Sequence, residues 1–255
     1  MTTQLQHVQP PGFARITEPR WNIARKALLA CGAASTVFYF GMDVLAALLY
    51  DGYSYTDQTI SELSAIGAPT RALWVPLGFV YGALVVAFGF GIWISAGQNR
   101  ALRVVAGLVL AAGLVSLVAW PLAPMHEREV LAAGGETFSD TLHLILAGVN
   151  TLLFILMIAV GATALGKGFR LYSIATIVAV LIFGALTALD APNVEANEPT
   201  PWLGVNERLA VFGSMLWMAV LAIVLWRVEG HRRLDRTKAG VGVIPTSSRD
   251  GDAHE

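Results

Sequence analysis

Residues 73–122, LWVPLGFVYGALVVAFGFGIWISAGQNRALRVVAGLVLAAGLVSLVAWPL, decide the fold. Two apolar runs, 73–96 and 102–122, are separated by a tight gap that carries Arg100 and Arg103. A hydrocarbon core of about 30 Å takes roughly 20 helical residues to cross. Each run therefore suffices for one passage, and the gap is a short turn on one face. Each passage must be a helix, because hydrocarbon offers a free backbone amide no partner. Runs 27–50, 141–165, 171–190 and 208–226 have the same character. The chain reads as an all-α polytopic membrane bundle of six transmembrane helices.

Composition agrees. The 255 residues are 55% hydrophobic and 14% charged, with a mean hydropathy of +0.61, too apolar for an ordinary soluble domain. A net charge of −1 leaves no basic footprint, so nucleic acid is not an expected partner. Cys31 is the only cysteine and lies in the first run, which excludes a disulfide framework or a Cys-based zinc site.

Charge sets the orientation. All but three of the 17 Lys and Arg residues lie in the two tails or in the gaps 98–103 and 166–170. By the positive-inside rule these segments face the cytoplasm, so both termini are inside. The three exceptions are Arg71, Arg128 and Arg208, and they sit among the acids of the other gaps, including Asp51, Asp57, Glu62, Asp140, Asp190 and Glu207. The expected organisation is a cytoplasmic tail over 1–25, a membrane domain over 26–228 and a disordered cytoplasmic tail over 229–255. No cleavable signal peptide is expected before the first span. Gly78 and Gly82, Ala112 and Ser116, and Ala162 and Gly166 have the spacing that lets helices approach closely, within the bundle or in a homodimer.

Polar residues at membrane depth mark candidate chemistry. Asp43 stands about 10 Å inside the first span, where a carboxylate needs a partner or a proton. Asp140, His143, Ala147 and Asn150 share one helical face. Asp140 and His143 could supply two metal ligands, or a base and its orienting carboxylate. The bland alternative is a capped helix start. Ser61 and Glu62, in the loop GYSYTDQTISELSAIGAP over 52–69, suit a lid or pocket wall, or a plain connector. Glu207 and Arg208 open the last span, with Asp190, Glu62 or Asp43 as the partner of the arginine. Tyr50, Tyr53, Tyr55, Trp74, Trp120 and Trp202 are read mostly as interfacial anchors.

The stretch 53–69, with I-S-E-L at Ile60, Ser61, Glu62 and Leu63 followed by Gly67 and Pro69, resembles the hallmark of the DUF998 family of bacterial and archaeal membrane proteins. A T-x-H element at Thr141 and His143 and a G-x-x-E-R element at Gly204, Glu207 and Arg208 fit the same family. The resemblance covers about 25–228 and implies a six-helix integral membrane fold, with no established activity. The family often has an acid after the proline that follows the third span. This chain has Pro124, Met125 and His126 there, so an acid-based role does not transfer and a second histidine comes near His143.

Three functions fit these residues. One is an outward-facing pocket that binds a lipid-like or other small molecule through Asp43, Ser61, Asn150, Asp190, Glu207 and Arg208. Another is an intramembrane lipid hydrolase or transferase using Asp140, His143 and Glu62, with His126 as a further candidate, around a metal or an activated water; no cofactor is specified. The third is a small-molecule or proton-coupled transporter, disfavoured because the named polar residues cluster in one half of the bundle. The expected surroundings are membrane lipids of a bacterial or archaeal plasma membrane.

Overall fold

A computed structural model of the chain describes the backbone of residues 17–241 and the side chains of 22–227. Six long helices cross from end to end: α1 (Thr17–Leu49), α2 (Arg71–Ala96), α3 (Arg100–Leu114), α5 (Phe138–Ala164), α6 (Lys167–Leu189) and α8 (Leu203–Val241). Two short helices, α4 (Arg128–Ala132) and α7 (Ala191–Glu195), lie in the connections. There is no β-strand among the described residues, only an isolated parallel bridge between Ile66 and His126.

All six runs named above are helices long and apolar enough to span a membrane, with mean hydropathies of 1.6 to 2.5. Their outward faces are apolar as well: Leu48, Leu171 and Leu189 are 78%, 70% and 75% exposed. A soluble fold would bury such residues, so the surface itself demands lipid. The last helix runs to Val241 rather than ending near 228, because helical bonding is local and its continuation is rich in good helix formers such as Arg, Leu and Lys. Residues 1–16 and 242–255 of the expected tails lie outside the described residues.

The helices form a closed ring. Consecutive long helices pack side by side, and α8 closes the circle against α1. The middle is filled: Val85, Phe88, Val105, Met157, Trp217 and Leu221 are each less than 2% exposed. The Trp217 indole donates to Ser173 Oγ at 2.9 Å, so its one polar atom is satisfied inside the core. Asn99 fastens the short-turn end by capping α3 at Leu102 N (3.1 Å) and donating to the Ala164 carbonyl (3.1 Å).

Near the other end α3 widens into a π-turn over Val115–Ala119 before Trp120–Leu122, and Trp120 N–H donates to the Val115 carbonyl. Pro121 explains the widening: it has no N–H for the carbonyl four residues back, and its ring crowds that carbonyl. The wider turn resets the direction of the chain into Ala123, whose carbonyl becomes part of the site described below.

Small residues set the helix separations, though not through the pair that spacing suggests. A Cβ on Gly82 would meet the Leu117 side chain at 2.8 Å, whereas one on Gly78 meets nothing within 4 Å. The closest approach between the backbones of two spanning helices is at Gly91, where a Cβ would come 2.9 Å from the backbone of Leu28 and Leu29 in α1. Gly91→Ala is therefore expected to lower stability by about 1–3 kcal/mol, while Gly78→Ala leaves it unchanged or slightly raised. Thermal unfolding of the two variants in detergent, followed by tryptophan fluorescence, checks the contrast.

Candidate functional site

The connections 50–70, 123–137 and 190–202 gather at one end of the ring, opposite the short turns at 97–99 and 165–166. The first of these folds over the end of the bundle. Thr59 caps a 3₁₀ turn, Ile60–Ser64, in a reciprocal capping box with Glu62. This turn is too short to hold itself. It is held by three arginines.

Arg208 rises from the first turns of α8 and is only 4% exposed. Its Nε and Nη2 grip Asp43 of α1 at 3.1 and 3.0 Å. Nη2 also donates to the Tyr53 hydroxyl at 2.7 Å, and Nη1 lies 3.0 to 3.1 Å from the carbonyls of Tyr55, Gln58 and Gly204. The guanidinium stacks 3.7 Å from the Tyr55 ring, whose hydroxyl returns to Asp43 Oδ2 at 2.6 Å. Every donor of the fork is used, which a lysine could not reproduce.

Arg128, on α4, makes the second grip. Its Nε and Nη2 meet the Glu62 carboxylate at 2.6 and 2.9 Å, and its remaining donors reach Thr200 Oγ1 at 2.8 Å and the Asp57 carbonyl at 3.2 Å. Glu62 also accepts from Thr59 N (2.6 Å) and Gln58 Nε2 (3.0 Å). Burial works against its charge, but the guanidinium and these donors outweigh burial and hold the carboxyl below its ordinary value. Arg71, in the first turn of α2, donates to the Ser64 carbonyl.

The neighbouring phenols follow the same pattern. Burial, reinforced by Asp43, pushes Tyr55 up to about 12, and burial with Glu127 does the same to Tyr50. Tyr53 is raised too, chiefly by burial. All three stay protonated donors at neutral pH.

The motif residues take distinct partners. Ile60 N–H donates to the Glu207 carboxylate. Ser61 Oγ lies 3.0 Å from His143 Nε2. Leu63 is fully buried, and its carbonyl accepts from Thr70 Oγ1 at 2.7 Å. Gly204 is dictated by the same contact, since a Cβ there would stand 2.6 Å from the Tyr55 carbonyl oxygen. Thr141, by contrast, is exposed.

Asp140 and His143 share a helix face but not a hydrogen bond. Asp140 occupies the third position of a capping box with Thr137, which turns its carboxylate back toward the helix start. There it accepts from Thr137 N (2.8 Å), His126 N (2.7 Å) and His126 Nδ1 (2.9 Å). His143 instead places Nδ1 2.8 Å from the Ala123 carbonyl, and its ring lies edge-on to Trp120 at 4.8 Å. The two side chains thus take separate partners, and among the described residues no three His, Cys, Asp or Glu side chains converge to hold an ion.

Two further candidates stand aside. Asn150 is half-buried two turns further along α5 and takes no part in this network. Asp190 ends α6 and accepts from Asn193 Nδ2 at 3.1 Å; Arg208 pairs with Asp43 instead. Sequence reasoning gave no site role to Arg128 or to the two tyrosines on Arg208, and it set His126 beside His143, whereas His126 pairs with Asp140. Arg128 carried a usable signal, as a lone cation in an acidic connection. Of the six aromatics expected at the interface, Trp202 is the one largely exposed, at 64%.

A carboxylate held below its ordinary value near 4.5 contributes stability above that pH and loses it as pH falls through the folded value. Wild-type protein in detergent should therefore hold its Tm from pH 7 to about 5 and lose it at lower pH. Glu62→Gln should begin lower, by up to about 3–5 kcal/mol because it strands Arg128, and should fall less steeply with acid. Melting curves from pH 3.5 to 7 test both.

No curated protein and no solved structure matches the chain. A family model described as "Protein of unknown function (DUF998)" matches residues 32–224. That match contains both ends of each buried ion pair, Asp43 with Arg208 and Glu62 with Arg128. The chain belongs to the DUF998 family.

Proposed function

We propose that this membrane protein binds a lipid at the loop-bearing end of its bundle, that this end faces outward, and that both termini lie in the cytoplasm of a bacterial or archaeal cell. The observation that carries the reading is a groove of about 520 Å³ between Gly67, Ala68 and Pro69 of the loop and Arg71, Ala72, Val75 and Pro76 of α2. It is an open, shallow groove rather than an enclosed cavity, so it suits a chain lying along the surface of the bundle. Its walls are aliphatic apart from one guanidinium, as an acyl chain with an anionic headgroup requires.

The ion-paired residues Asp43, Glu62 and Arg208 hold the wall in place rather than meet the ligand, because their polar atoms are already bonded to one another and to the loop. A transport path is the weaker reading, since the ring is packed through its middle by Phe88, Met157 and Trp217.

Native mass spectrometry of the purified protein with phosphatidylglycerol tests the binding. Wild type is expected to retain one lipid, and Val75→Trp, which fills the groove, to retain it about tenfold less; equal retention would sink the assignment. Orientation is tested separately. A cytoplasm-dependent reporter fused after residue 227 should be active, and one inserted at Gly134, an exposed loop position, should be silent. The reverse result would invert the topology.

A further inference from the structure

We propose that Ser61 and His143 form a nucleophile and base pair that transfers or hydrolyses the acyl group of a lipid ester. Ser61 Oγ stands 3.0 Å from His143 Nε2. On the other side of the ring, Nδ1 lies 2.8 Å from the Ala123 carbonyl. A carbonyl only accepts, so Nδ1 carries the proton and Nε2 presents its lone pair. The Ser61 hydroxyl is therefore the donor. This is the order a nucleophilic serine needs: hydroxyl, imidazole and an acceptor that fixes the tautomer.

The surroundings favour this pair over its neighbours. Ser61 is partly exposed while His143 is only 7% exposed, so the nucleophile is reachable and the base is shielded. Trp120 stands against the imidazole and restrains its plane. Ser64, one 3₁₀ turn later, donates to the Ser61 carbonyl at 3.1 Å and has no such base. Asp140, the nearest acid on α5, is occupied by Thr137 and His126. The orienting acceptor is thus the main-chain oxygen that the π-turn and Pro121 bring into place.

The reaction balances with water or a second alcohol as acceptor. Ser61 Oγ bonds to the ester carbonyl carbon while its proton passes to His143 Nε2. The ester C–O bond then breaks, and His143 returns the proton to the departing alkoxide. Water or the acceptor alcohol attacks the acyl-Ser61 ester with its proton going to His143, and collapse restores the serine. The lipid character of the ester rests on the binding proposed above; the pair itself rests on separate residues.

The test uses full-length protein in nanodiscs with two fluorophosphonates, one short-chain and soluble and one bearing a lipid-length chain. Tandem mass spectrometry is expected to find the adduct on Ser61 and none on Ser64. Labelling should slow by roughly a hundredfold or more in His143→Ala. His143→Asn gives the same comparison should the alanine variant unfold, since its amide can still donate to the Ala123 carbonyl but cannot take a proton. No Ser61 adduct from either probe in folded wild type, or an equal rate in His143→Asn, overturns the proposal. A Ser61 adduct together with absent phosphatidylglycerol retention would sink only the groove assignment, because the short probe does not need the groove.

Discussion

The loop between α1 and α2 can lie on the end of the bundle only if its main-chain carbonyls and its buried acid find donors. A buried acceptor left unpaired costs about 1–3 kcal/mol, and a buried charge costs more. Three arginines meet this demand. Arg208 covers the carbonyls of Tyr55 and Gln58 and the Asp43 carboxylate, Arg128 covers Glu62 and the Asp57 carbonyl, and Arg71 covers the Ser64 carbonyl. These are the same three cations that break the charge sorting along the chain. They stand among acids because the loop needs forks of donors there, and arginine is the side chain that supplies them.

This constraint explains why the I-S-E-L stretch reads as a unit. Its consecutive residues reach α8 through Glu207, α5 through His143 and α4 through Arg128, and then the buried interior. A shift of one residue would exchange every partner at once. The G-x-x-E-R element is its counterpart on α8: the glycine admits the loop carbonyls, the glutamate takes one loop N–H, and the arginine takes the carbonyls and Asp43. Each motif is half of one interface.

The bundle was legible because lipid imposes a simple rule on sequence: every passage is long, apolar and helical. The need of Asp43 and Arg208 for partners was legible for the same reason, since intramembrane charge is costly. Which charge meets which was not. Asp43 and Arg208 lie 165 positions apart and Glu62 and Arg128 lie 66 apart, and no local period connects them. The shared face of Asp140 and His143 does not join them, for a different reason. Helical phase places two side chains on one line, but the capping box turns one of them back along the helix. His143 then takes partners from a π-turn and a loop, neither of which has a periodic signature.

The energies of these contacts separate scaffold from chemistry. Removing one partner of a buried ion pair strands the other charge and costs about 3–5 kcal/mol, so Asp43, Glu62, Arg128 and Arg208 are tied to folding. The bond between Ser61 and His143 is neutral on both sides and worth roughly 1 kcal/mol. Within I-S-E-L, the serine is thus the side chain that folding needs least, yet its neighbours on both sides are anchored to different helices. A weakly committed hydroxyl held by strongly committed flanks is pre-organised without being consumed by the fold. That is the condition under which a serine beside a neutral, tautomer-fixed imidazole remains available to react.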